Sequence, residues 1–129
     1  MTLKKSLNVL YIHGVGPWGG SSRSLFETVT NFPKDSVNPY FITVKGTSKI
    51  EFAKITSNII EVIGLSRFDN TEFGYYRGVR WLILIREIYF IPFTIIAFIR
   101  AKRKFKNIDI IHINDIVEIL PLILAKILF

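Results

Sequence analysis

Apolar residues fall along this chain in short unbroken runs, in spaced series and in one long stretch, and each pattern predicts a different element. Leu7–His13 (LNVLYIH) is a short β-branched and aromatic run closed by glycine, the signature of a strand buried on both faces. Pro39–Lys45, stopped by Gly46, predicts a second strand, Ile59–Ile63 a third, and Asn107–Asn114 (NIDIIHIN) a fourth. After the first strand, Leu25, Val29 and Phe32 recur at i, i+4 and i+7 with Pro33 just beyond, and Ser24 with Glu27 fits a capping box, so a helix is expected there. Ile50–Asn58 predicts a short amphipathic helix, and the segment after Asp115 a last helix with Pro121 in its first turn. Gly64–Gly78, polar, glycine-bearing and aromatic, predicts a long loop of the kind that carries function.

The long stretch, Val79–Lys106, has the length and leucine and isoleucine content of a helix, but its apolar residues surround the axis instead of forming one stripe. Trp81–Ile99 is long enough to span a bilayer. Arg86 and Glu87 stand within it, and each charge costs about 2.5–3.5 kcal/mol near mid-bilayer, which argues against spanning. Pro92 is expected to kink or divide the helix.

Strands that alternate with helices and are apolar on both faces specify a parallel α/β sheet with helices on both sides. At 129 residues the chain is one domain at most, and with 50% hydrophobic and 14% aromatic residues it has more apolar surface than so small a core can bury. There is no cysteine, hence no disulfide framework or thiolate site, and two histidines, His13 and His112, are too few for a histidine-based metal centre. The N-terminal run is broken by Asn8 and lacks a small-residue cleavage site, so it reads as the first strand of a cytoplasmic protein instead of a secretory signal.

The net charge of +7 is concentrated in RAKRKFK, where Arg100, Lys102, Arg103, Lys104 and Lys106 follow the most apolar segment. Such a run is first of all a solvated face or helix end; that adjacency makes anionic lipid headgroups, with a peripheral place on the inner membrane face, the next candidate. Nucleic acid is disfavoured, because no aromatic residues interleave with the basic ones as a stacking surface.

The chemistry-bearing stretch is Gly14–Leu25, GVGPWGGSSRSL, between the first strand and first helix. Gly14, Gly16 and Gly19 satisfy GxGxxG, yet Lys45 and Gly46 stand where a dinucleotide fold needs an acid for the ribose. There is no GxSxG nucleophile elbow, and no glycine is followed by Lys-Ser or Lys-Thr, so a complete α/β-hydrolase and a P-loop are both excluded. What remains is Gly19-Gly20-Ser21-Ser22 at a helix entrance, where absent side chains let backbone approach an anion and free N–H groups attract it.

This βα unit resembles the first one of the GT-B glycosyltransferases, in particular the glycosyltransferase family 4 N-terminal domain, in which a Gly-Gly pair opens the first helix. NIDIIHIND followed by LPLILAKIL is similar to that family's fourth strand and helix: Asp109 and His112 match its motif, whereas the second histidine position holds Asn114. The resemblance implies a Rossmann-like sheet with the strand order 3-2-1-4, in an incomplete N-terminal domain of a GT-B fold over 1–129, inactive alone, whose C-terminal domain is missing. A chain ending within an apolar helix at Ile127-Leu128-Phe129 agrees with that expectation.

The complete enzyme implied would move a sugar from a nucleotide-sugar donor to a glycan, polysaccharide or lipid-linked acceptor, without a cofactor or metal. Gly19, Gly20, Ser21 and Ser22 would meet the donor phosphates, with Arg23 as an added contact, and His112, Asn114 and Asp115 would border the acceptor side. Two other readings come from different classes. One is a small membrane-anchored interaction protein with Trp81–Ile99 as its span; the other is a stand-alone phosphate-binding α/β module.

Overall fold

The computed structural model describes residues 5–66, 81–114 and 119–129. The element order is β1 (Leu7–His13), α1 (Gly20–Thr30), β2 (Val37–Val44), α2 (Thr47–Phe52), β3 (Ile59–Val62), α3 (Trp81–Lys104), β4 (Ile110–Ile113) and α4 (Ile119–Leu128). The four strands form one parallel sheet in the order β3-β2-β1-β4. This is the expected Rossmann-like α/β architecture.

Chain direction explains the layers. β1 to β2 to β3 steps one way across the sheet, and β3 to β4 steps back over two strands to the far side of β1. Right-handed crossovers place helices of opposite steps on opposite faces. Accordingly Val9, Tyr11 and Phe41 pack with Leu25 and Val29 of α1 and Phe52 of α2. The alternate residues Leu10, Ile12, Ile42 and Ile60 pack with Ala97, Phe98 and Ala101 of α3 and Ala125 of α4. Period-two alternation thus feeds two cores, which is why the central strands read as continuous apolar runs. Stacked rings brace the α1–α2 core, with Tyr11 on Phe41 at 5.3 Å and Phe41 on Phe52 at 4.6 Å between centroids.

Helix starts and ends differ from expectation at three places. The Ser24–Glu27 capping box does not form: α1 begins at Gly20 with Gly19 as N-cap and no side-chain cap, so Ser24 is inside the helix. Glu27 instead accepts from Arg23 Nε at 3.0 Å, one turn back, and Phe32 lies beyond the helix end, exposed. The second helix spans Thr47–Phe52, not Ile50–Asn58. Gly46 and the backbone at Gly16, which accepts from Ser48 N–H at 3.0 Å, fix its earlier start, and Phe52 is its fully buried anchor.

Third, Pro92 does not divide α3, which runs unbroken over 24 residues. Pro92 and Ile88, whose carbonyl loses its helical partner to the proline ring, both lie on the solvent side, so the missing bond leaves no buried carbonyl unsatisfied. Pro121 does stand in the first turn of α4. The expected loop Gly64–Gly78 falls mostly outside the described residues, as does Asp115.

Candidate functional site

In an open parallel sheet, the crevice outside the carboxyl ends of the strands at the reversal of strand order is where connections diverge and a ligand has room. Here the reversal lies between β1 and β4. From the end of β1 the chain turns through residues 14–19 into α1 on one face, while α4 lies on the other. Gly19, Gly20, Ser21 and Asn114 meet at this rim.

The glycines of this region divide by what surrounds them. A side chain at Gly16 would meet the Lys45 carbonyl oxygen at 2.6 Å, and one at Gly46, whose φ is +155°, would meet the Gly16 carbonyl at 2.5 Å. These two are glycines because the backbone at the end of β2 touches the loop after β1. Lys45 and Gly46, which stand where a dinucleotide fold needs its acid, are thus in close backbone contact with that loop. Around Gly19 and Gly20 the opposite holds: both are exposed, and a Cβ on either meets nothing within 4 Å. Gly19 is extended (φ −156°, ψ −165°) and Gly20 is helical, so neither needs glycine for its conformation.

The loop leading to them is fastened by α2. Trp18 N–H donates to Thr47 Oγ1 at 2.7 Å, and the Trp18 ring meets Phe26 and Phe52 edge-on. Beneath the helix entrance a buried line of polar groups crosses three elements. Asn114 Nδ2 donates to His13 Nδ1 at 3.1 Å, with a longer contact to the Ser21 carbonyl at 3.4 Å. With Nδ1 accepting, Nε2 carries the proton and donates to Ser22 Oγ at 2.8 Å. Ser22 Oγ lies 2.8 Å from Ser48 Oγ, which donates to the Pro17 carbonyl at 3.0 Å. His13 and Ser22 are both fully enclosed. The Ser22 side chain is thus a strut under the loop, while its amide belongs to the first turn.

The first intrahelical bond of α1 runs from Arg23 N–H to the Gly19 carbonyl at 2.9 Å. The N–H groups of Gly20, Ser21 and Ser22 precede this ladder and carry the positive end of the helix dipole. Open glycine surface and these backbone amides make a rim suited to an oxyanion or diphosphate. No family model, curated protein or solved structure matches the chain.

The remaining sequence-derived candidates are placed as follows. Arg23 is exposed and committed to Glu27. Asp109 is at the opposite, amino end of β4, where its Oδ2 accepts from Asn8 N–H at 2.9 Å and fixes strand pairing. His112 shares the α1 face of β4 with Asn114 but sits one pleat repeat below the rim, its ring 5.4 Å from that of Tyr11. It opens into an apolar groove of about 270 Å³ lined also by Leu7, Val9, Phe32 and Ile110.

Sequence reasoning took Glu87 only as an obstacle to membrane insertion. In the fold it is 2% exposed and lines a rim cavity of about 120 Å³ with Gly14, Val44, Gly64 and Phe90. Arg86 Nη2 lies 3.2 Å from its Oε1. A charged pair inside an apolar run was the available signal. Among the described residues no helix is long and apolar enough to cross a membrane, which removes the reading of Trp81–Ile99 as a span. Glu87 and Thr94 of α3 are instead buried within the fold.

Proposed function

We propose that the chain is the first α/β domain of a GT-B sugar transferase and that its switch-point rim receives the diphosphate of a nucleotide-sugar donor. The observation that carries this reading is the Gly19–Gly20 pair, which neither packing nor backbone conformation requires. A ligand that must touch bare backbone gives such glycines a purpose. The preformed loop supports the reading too, since a rim braced by Thr47, Ser48 and Ser22 binds without first having to be ordered.

In this reading Gly20, Ser21 and Ser22 offer N–H groups to phosphate oxygens, and Asn114, whose Nδ2 is held by His13 and Ser21, offers Oδ1 as a hydrogen-bond acceptor to the acceptor side. Asn114 can orient a hydroxyl but cannot shuttle a proton, so proton transfer is assigned to a group elsewhere. In enzymes of the resembled class the donor is gripped from a second α/β domain, which these 129 residues do not include. Binding to this chain alone is therefore weak.

Amide NMR with a nucleoside diphosphate at millimolar concentration tests the proposal. Saturable shifts at Gly20, Ser21, Ser22 and Asn114, weakened in Gly20→Ala, are expected. Unmoved amides there, or shifts confined to the basic run at residues 100–106, would overturn it.

A further inference from the structure

Helix α3 is apolar on two opposite faces, and among the described residues only one is packed. Glu87, Thr94, Phe98 and Ala101 follow at helical steps and are buried against the sheet. Across the helix, Trp81, Ile85, Ile88, Pro92, Ile96 and Ile99 follow at steps of three or four and are all exposed. The next step in that row is Arg103. Helix α4 repeats the pattern beside it: Pro121 and Ala125 face inward, while Leu122, Ile123 and Ile127 face out, the last 72% exposed. On the opposite side of the sheet, by contrast, α1 turns Arg23, Ser24, Glu27 and Thr28 to solvent.

Among the described residues of α3 and α4, surface charge has one sign. The two helices contain Arg86, Arg100, Lys102, Arg103, Lys104 and Lys126, and their one carboxylate, Glu87, is buried. The cations gather where both helices end, as Lys102 Nζ over the Phe129 ring at 5.0 Å illustrates. A protein partner built for an apolar face has no need of this excess. A membrane surface rewards both features together, taking apolar rows below the headgroups and lysine and arginine among them.

We propose that the α3–α4 layer is a docking face for an anionic lipid bilayer, with both helices lying in the membrane plane and the apolar rows embedded at headgroup depth. This is independent of the sugar-transfer reading, because it concerns the face of the sheet opposite α1. The in-plane placement is compatible with Arg86, whose side chain is half exposed beside the row and can reach headgroups along its own stem.

The full chain is tested by flotation with phosphatidylcholine vesicles, with and without phosphatidylglycerol. Recovery with the anionic vesicles only is expected, falling about tenfold or more in Arg100→Glu/Arg103→Glu and in Ile85→Asn/Ile96→Asn. Thermal melts of both variants near that of the parent establish that they fold, since every altered position is exposed. In a Trp18→Phe background, fluorescence of Trp81 should shift to the blue on vesicle addition. Three results would overturn the proposal: equal recovery with both vesicle types, no recovery with either, or a lipid-free dimer that Ile85→Asn/Ile96→Asn dissociates, which would assign the face to a second copy.

Discussion

Asn114 Nδ2 donates to His13 Nδ1 at 3.1 Å, tying the carboxyl ends of β4 and β1 together across 101 positions of sequence. The same amide leans on the Ser21 carbonyl, so the edge strand, the central strand and the glycine helix are held by one side chain. Asn114→Ala is expected to cost about 1 kcal/mol, the worth of one partly buried side-chain hydrogen bond, by urea unfolding. It should also raise amide exchange at residues 19–22. Unchanged exchange there would mean that the contact does not brace the rim.

Ser22 carries the larger share of the same line of groups. Its Oγ accepts from His13, faces Ser48 and lies 3.3 Å from the Pro17 carbonyl, in a place with no access to solvent. Ser22→Ala leaves the His13 Nε2 proton without this acceptor, which is expected to destabilise by about 1–3 kcal/mol. Ser24→Ala, on the exposed side of the same helix, should fall within about 0.5 kcal/mol of the parent despite the capping-box pattern. Comparable losses for the two would restore the sequence-based helix start.

The glycines make a sharper pair of outcomes. Gly20→Ala meets open space in a helical conformation and should stabilise by about 0.4–1 kcal/mol, through the lowered entropy of the unfolded chain. Gly16→Ala drives a methyl into the Lys45 carbonyl and should destabilise by about 1–3 kcal/mol. Chemical unfolding of both variants checks this. A destabilised Gly20→Ala would give that glycine a structural purpose and remove the main support for a ligand at the rim.

Strands were legible because the buried ones pack on both faces, and a run such as LNVLYIH has no other use in a chain this short. Strand order came with the resembled fold, because alternation with helices specifies a parallel sheet but not which strands are neighbours. The start of α1 was not legible: Ser24 and Glu27 have capping-box spacing, but Glu27 satisfies the equally spaced Arg23, and the true N-cap, Gly19, has no side chain to advertise it. The glycine loop and Asn114 were visible as candidates. Ser48 was not, because it joins the site only through the turn after β2, a contact between distant segments that leaves no local periodicity. The two faces of α3 were seen as apolarity all round, without a way to choose between them. Small residues at Ala97 and Ala101 bring one face close to the sheet.

That choice of face has a direct consequence for neighbouring residues of α3. Phe98 is fully buried between the sheet and α4, and Phe98→Ala should cost about 3–5 kcal/mol. Ile96, two positions earlier and exposed, should tolerate Ile96→Ser within about 0.5 kcal/mol. Thermal or urea unfolding of the two variants reads the orientation of the helix. A larger loss at Ile96 than at Phe98 would turn α3 over and place its other row against the sheet.

Tyr11 supplies a pH dependence. Burial beneath α1 raises its hydroxyl above the ordinary 10.0, because the phenolate would lose its water. The unfolded chain then releases this proton at a lower pH than the folded one. Stability from this group is complete below the unfolded value and declines as pH rises through the folded value. Tyr11→Phe keeps the ring stacked on Phe41 and has no proton to lose, so its stability should fall less between about pH 9 and about pH 11. Urea midpoints of parent and variant across that range decide the matter: parallel declines would mean that the alkaline loss arises elsewhere, and a shallower slope for the variant assigns it to the phenol in the α1 core.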